Sequence, residues 1–218
     1  MNPWRKLLLD AVSPFESGVQ GLAVNGIKHP ERRDYRPSRT AAVLVPFLDL
    51  DDPELVLTRR AEHLPHHPGQ VAFPGGAAES DDVSAVQTAL REANEEIGLP
   101  IDAALPIGFL DRMDTVSDYR VLPVVALVRA PVSWMIDERE VSDVFTVPAS
   151  VALNRDNYKS ITHEQHGQKY PVWTLHWEGR KIWGITAAIL MNLITRLERV
   201  HAQQDSVVSR SAERADYG

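Results

Sequence analysis

Nine residues, Arg91-Glu92-Ala93-Asn94-Glu95-Glu96-Ile97-Gly98-Leu99, constrain the chain more than any others. Glutamates spaced i, i+3 and i+4 share one face of a helix. Gly98 supplies a helix stop, and Pro100 blocks continuation. The three carboxylates therefore crowd the last turn, at the negative end of the helix dipole. Like charges at i, i+4 cost about 0.2–0.5 kcal/mol per pair, and carboxylates at a C-terminus cost roughly as much again. Selection for stability alone would place Lys or Arg there. A divalent cation held by these oxygens explains the pattern, because hard ions such as Mg²⁺ take oxygen ligands and commonly bridge to phosphate. An exposed charged face is the bland alternative, and it leaves both penalties uncompensated.

The helix carrying this run is predicted from about residue 84 to 97. Its apolar stripe is Val86, Leu90, Ala93 and Ile97, and the glutamates lie largely off that stripe. One side can then be buried while another presents carboxylates. Strands are predicted at 41–48 and 54–59, joined into a hairpin by the acidic turn Asp49, Asp51, Asp52, Pro53. A short strand at 70–73 leads into a Pro74-Gly75-Gly76 turn. Further strands are expected near 107–110, 121–128, 144–147 and 170–177, with a helical turn at 148–153 and a loop over 154–169. A final helix runs from Trp183 to about Arg199, with Ile185, Ile189, Leu193 and Leu197 on its core side. Residues 1–38 read as a short helix and an irregular lead-in containing the Arg-rich stretch 31–36. Residues 39–200 form the main domain, and 201–218 a solvated tail. The expected class is one α/β or α+β domain, a mixed sheet flanked by helices.

Composition narrows the function. The 218 residues are 44% hydrophobic and 24% charged, as in a soluble globular protein. There is no cysteine, so neither a disulfide framework nor a thiolate zinc site can form, which fits the cytoplasm. The first residues lack the length and apolarity of a membrane span or a secretory leader. With 23 basic and 30 acidic residues the net charge is −7, which argues against a dedicated nucleic-acid binder. It does not argue against a small phosphate-bearing substrate, since a metal can supply positive charge locally. A two-fold homodimer is the default expectation if the chain self-associates.

Gly76, five residues, Asp82, then Arg91-Glu92-Ala93-x-Glu95-Glu96-x-Gly98-Leu99 resembles the box of the Nudix hydrolases. The chain departs from it in two places: the upstream acid is Asp82 rather than Glu, and eight residues rather than seven separate it from Arg91. Leu57-Thr58-Arg59-Arg60-Ala61, Gly69 and Phe73-Pro74-Gly75-Gly76 are similar to the coenzyme A pyrophosphatase branch of that family. So are the later segments 140–148 and 182–187. One departure matters here too, for Pro65 stands where the branch has an Arg.

The resemblance implies an α/β/α sandwich with a mixed β-sheet and a loop–helix–loop box. It implies Mg²⁺- or Mn²⁺-dependent hydrolysis of a nucleoside diphosphate linked to another moiety, here a coenzyme A-like small molecule, with no nucleic-acid or membrane partner. Glu92 and Glu96 are the best paired metal ligands, Glu95 the third candidate, as ligand or as acceptor for a metal-bound water, and the Gly76 carbonyl a further ligand in the family. Arg91 would orient a carboxylate, Asp82 being one candidate partner. Glu140 lies in a later acidic stretch. A solvated surface acid is its ordinary reading, and a general base or extra ligand its functional one. Arg59, Arg60, His66 and His67 are candidates for holding substrate phosphate, with plain loop polarity as the alternative for the histidines. ADP-ribose, nucleotide sugars and dinucleotides are the alternative substrates. A non-catalytic Nudix ligand-binding domain is the alternative from another class.

Overall fold

The computed structural model describes residues 2–19, 22–26, 37–115, 117–165 and 168–215, so the Arg-rich stretch 31–36 lies outside the described residues. In chain order the elements are α1 (Pro3–Ala11), β1 (Val24–Gly26), β2 (Arg39–Leu48), β3 (Glu54–Arg60), β4 (Val71–Ala72) and β5 (Gly75–Ala77). After these come α2 (Ala85–Ile97), β6 (Ala104–Phe109), β7 (Arg112–Asp114), β8 (Tyr119–Val128), β9 (Val141–Pro148) and α3 (Ala149–Ala152). The chain continues through β10 (Tyr158–Gln165), β11 (Gln168–Trp177), β12 (Arg180–Trp183) and α4 (Gly184–Ala215).

Two apolar runs make the centre. β2 and β8 pair in parallel from Arg39↔Tyr119 to Leu48↔Val128. Strands buried on both faces read as continuous hydrophobic runs, and both of these do. Alternation then splits their side chains between two cores. Val45, Phe47, Val125 and Leu127 join Leu55 and Leu57 of β3 on one face, under α1 and α4. Ala42, Leu44, Val124, Ala126 and Val128 join Val56 on the other, under Ala89, Ala93 and Ile97 of α2. A mixed sheet between helical layers is the α/β/α arrangement expected. The sheet runs β1-β7-β8-β2-β3-β4, with β5 paired to β2, β6 to β8 and β9 to β3. A second sheet, β10-β11-β12, is antiparallel and lies beside α4.

Several local expectations change. The hairpin of β2 and β3 is only two residue pairs long, because β3 turns away to pair with β9 along its length. Gly75 and Gly76 are a short strand rather than a bare turn, facing Val43 and Ala42 of β2. The expected loop at 154–169 contains β10. Its polar sequence hides a strand whose partner is β11, from Tyr158↔Leu175 to Gln165↔Gln168. A hairpin arm wetted on its outer face needs little apolar periodicity. The last helix runs past Arg199 to Ala215, and Ile185 on its first turn is partly exposed while Leu190 and Ile194 join the core.

Candidate functional site

The site grows from α2 and the short strand before it. Ser84 caps the helix N-terminus by accepting a hydrogen bond from the Gln87 N–H. Gly98 ends it in the left-handed region, φ +66°, its N–H reaching the Ala93 and Asn94 carbonyls. This is the stop read from the sequence. The last turn contains no basic residue, and the cation that reaches Glu92 and Glu95 on this helix is Arg91, one turn earlier.

The three glutamates do not behave as one exposed face. Glu95 is open, its side chain 59% exposed, whereas Glu96 is only 4% exposed. Glu96 points under β5, where its Oε2 accepts the Gly75 N–H at 3.0 Å. Burial pushes its carboxyl up to about 8, with the charges of Glu92 and Glu140 adding to the rise and the Gly75 bond and Arg60 opposing it. Burial raises Glu92 too, against Arg91, and Glu95 and Glu140 again repel it. Glu140, far along the chain, is therefore close enough for its charge to act on both. Arg60 is the cation whose field reaches Glu96.

Both glycines permit close approach. A Cβ on Gly75, at φ +153°, would stand 2.5 Å from the Ala42 carbonyl oxygen and 2.6 Å from the Val43 Cα. A Cβ on Gly76 would stand 2.5 Å from the Glu92 carboxylate. The missing side chain lets that carboxylate lie against the backbone.

Arg91 organises the rest. Its guanidinium forks onto Asp82, Nε to Oδ1 at 3.2 Å and Nη2 to Oδ2 at 3.0 Å, and also donates to the Ala77 carbonyl at 3.1 Å. Nη1 donates to Glu92 at 2.9 Å and to Glu95 at 3.1 Å. Asp82, its side chain 4% exposed, also accepts the Glu79 N–H and the Thr88 hydroxyl. Together with the Arg91 fork, these bonds hold its carboxyl well below the usual carboxylate range. Asp82 is thus the partner of Arg91, and Thr88, buried on α2, supports it; nothing in the local spacing marked that threonine.

The phosphate candidates lie at the end of β3 and in the loop that follows it. Arg59 is engaged with Glu62 at 2.6 Å and the Gly69 carbonyl at 3.4 Å. His66 is exposed, and the His67 ring lies 3.1 Å from the Gln70 side-chain oxygen. His63 is 3.1 Å from the Arg139 carbonyl, a tie to the segment carrying Glu140 that sequence reasoning did not find. Among the described residues, no three His, Asp or Glu side chains close into a ligand cage. The chemistry of the set nonetheless suits a divalent cation. Its donors are hard oxygens, the charged form of buried Glu96 is opposed by two neighbouring carboxylates, and a glycine admits Glu92 against the main chain.

A mixed sheet between helices thus carries a glycine strand paired to β2 and a glutamate helix packed across one face. The Nudix domain family model matches residues 38–170. Over 165 residues the chain is 39% identical to a protein of Enterobacter sp. (strain 638) called uncharacterized Nudix hydrolase NudL, covering 76% of this chain and 86% of that one. A protein of the same name from Yersinia pestis (strain Pestoides F) is 42% identical over 156 residues, 72% of this chain and 78% of the relative. Among solved structures, the C. elegans Ap4A hydrolase is similar with a TM-score of 0.45 and 19% identity, over 52% of this chain and 83% of that one.

The chain belongs to the Nudix hydrolase family. By class it is a pyrophosphatase, and enzymes of this family generally depend on a divalent metal ion. Among the described residues no helix is long and apolar enough to cross a membrane.

Proposed function

We propose that this enzyme hydrolyses the pyrophosphate of coenzyme A or an acyl-coenzyme A, giving 3′,5′-ADP and 4′-phosphopantetheine or its acylated form. The observation carrying the hydrolytic part is Glu96, a buried carboxylate bonded to the Gly75 N–H and crowded by Glu92 and Glu140. Such a group is poised to exchange a proton for a cation. Glu92 and Glu96 would hold Mg²⁺ or Mn²⁺, with Glu95 and the Gly76 carbonyl as further donors. When bound, the cation neutralises the diphosphate oxygens and acidifies the attacking water. Arg91 keeps Glu92 and Glu95 oriented through its fork on Asp82. Arg60 offers its charge to a substrate phosphate, and Arg59, His66 and His67 line the strand and loop beside it. Glu140 takes the proton of the attacking water. Oxygen bonds to one phosphorus, the bridging P–O bond breaks, and two phosphate monoesters leave.

The coenzyme A part is supported by residues 57–61, Gly69 and 73–76, which are similar to that branch and which fold as β3, its following loop and β5 beside the carboxylates. Pro65, in place of the branch's Arg, favours a second reading in which ADP-ribose, a nucleotide sugar or a dinucleotide is cleaved. A substrate panel with Mg²⁺ and with Mn²⁺, its products identified by mass spectrometry, tests the first. Release of 3′,5′-ADP from coenzyme A is expected. Robust turnover of ADP-ribose with none of coenzyme A would overturn it.

A further inference from the structure

Between β8 and β9 the chain runs from Arg129 to Glu140 with neither strand nor helix, and it crosses the C-terminal end of α2. A helix leaves its last carbonyls without partners inside the helix. This segment supplies them. The Met135 N–H donates to the Ile97 carbonyl at 3.0 Å, and the Asp137 N–H to the Glu96 carbonyl at 3.0 Å. The approach is close, since a Cβ on Gly98 would fall 2.6 Å from the Met135 Cβ. The backbone at Glu96 and the backbone at Asp137 are therefore fixed to one another.

From that point the strap is tied at both ends of a tight turn. Glu140 and Val141 both donate their N–H to the Asp137 carbonyl at 2.9 Å. Inside the turn, the Asp137 Oδ1 accepts the Arg139 N–H at 3.0 Å. On the far side, the Ala61 N–H donates to the Glu140 carbonyl at 2.9 Å, and the His63 Nε2 reaches the Arg139 carbonyl at 3.1 Å. A carbonyl only accepts, so His63 carries a proton on Nε2. The β3–β9 register shifts between Arg59 and Arg60, placing Val141 opposite Arg60, and such irregularities re-aim neighbouring side chains. Glu140 thus has its main chain pinned from two directions while its carboxylate stays exposed.

We propose that Asp137 and His63 are positioning residues, acting through the strap backbone to hold Glu140 beside Glu92 and Glu96. The inference rests on the reading of Glu140 as the group that takes the proton from water. It gives His63 a role through its bond to the Arg139 carbonyl, and it assigns Asp137, which no sequence motif marks. The side-chain fork of Arg139 on Asp137 is secondary. Arg139 is 88% exposed at its side chain, where an ion pair is worth little. The acceptor that matters is Oδ1 toward the Arg139 N–H.

The test is a double-mutant cycle on the full chain with coenzyme A as substrate, joined to amide hydrogen exchange. Asp137→Ala and His63→Ala should each lower kcat several-fold to about tenfold, with KM within about twofold, as expected when geometry at one acid is loosened. Asp137→Asn keeps the acceptor and His63→Gln keeps a donor, so both should restore most of kcat, and Arg139→Ala should stay within about twofold of the parent. In a Glu140→Gln background, Asp137→Ala should lower kcat no further. Exchange at the Ala61 and Glu140 amides should accelerate in Asp137→Ala without any substrate present. Additive losses in the Glu140→Gln background, or unaltered exchange in Asp137→Ala, would overturn the positioning role alone. Unaltered kcat in Glu140→Gln, with exchange still accelerated in Asp137→Ala, would instead remove Glu140 from the chemistry, and the proposal with it.

Discussion

A methyl group added at Gly75 and one added at Gly76 would meet different neighbours. On Gly75 it meets backbone atoms of β2 that cannot yield, at a φ that disfavours any side chain. On Gly76 it meets the tip of Glu92, a flexible side chain that can swing away. Gly75→Ala should therefore cost about 1–3 kcal/mol or more of stability in a denaturant titration. Gly76→Ala should unfold close to the parent midpoint yet lose activity about tenfold or more in a turnover assay, because Glu92 is displaced. Equal effects of the two changes on stability would contradict this division. Glu96→Gln should lower kcat about 10²-fold or more with the fold retained by circular dichroism, for it removes a charge that serves the reaction. These residues were legible in the sequence to different degrees. The i, i+3, i+4 spacing identified the glutamates and the glycine stop. It could not say that Glu96 would be buried, because that depends on where β5 crosses the helix, a contact 21 residues away in the chain. The fork of Arg91 on Asp82 was anticipated as one pairing among several, and the extra residue in the intervening stretch does not prevent it.

At the scale of elements, α2 is held by two local devices and one tertiary face. Its Ser84 cap should be worth about 1 kcal/mol, so Ser84→Ala should lower the unfolding midpoint modestly. Ile97 is fully buried in the core between α2 and the sheet, and Ile97→Ala should cost about 2–5 kcal/mol in chemical denaturation. A loss under about 1 kcal/mol would mean the helix packs elsewhere. Long apolar strands and the capped helix were readable because periodicity and end signals agreed for them. β7 and β10 were not. β7 is three residues long, and β10 owes its strand to pairing with β11 more than to its own polar sequence. The β3–β9 ladder was hidden for another reason. Each strand was visible, but the partner of β3 lies some ninety residues downstream of it, and no local rule announces such a pairing.

At the scale of the molecule, charge and folding are linked through the acidic site. The folded-state pKa of Glu96, about 8, lies above its ordinary value of 4.5. A group raised in this way contributes stability that is fully present below the ordinary value and lost as pH rises through the folded one. Metal-free protein should accordingly lose thermal stability between about pH 5 and pH 8, and Glu96→Gln should flatten that part of the profile. A divalent cation should restore the lost stability most at the alkaline end, where it no longer competes with a proton. Calorimetric titration of Mn²⁺ into the metal-free protein at pH 7, run in buffers of different ionisation enthalpy, reads both affinity and proton release. We expect saturable binding with release of about one proton per ion in the parent. In Glu96→Gln the affinity should weaken about tenfold or more and the released proton should disappear. The same affinity and the same proton count in parent and variant would contradict a cation site built on Glu96.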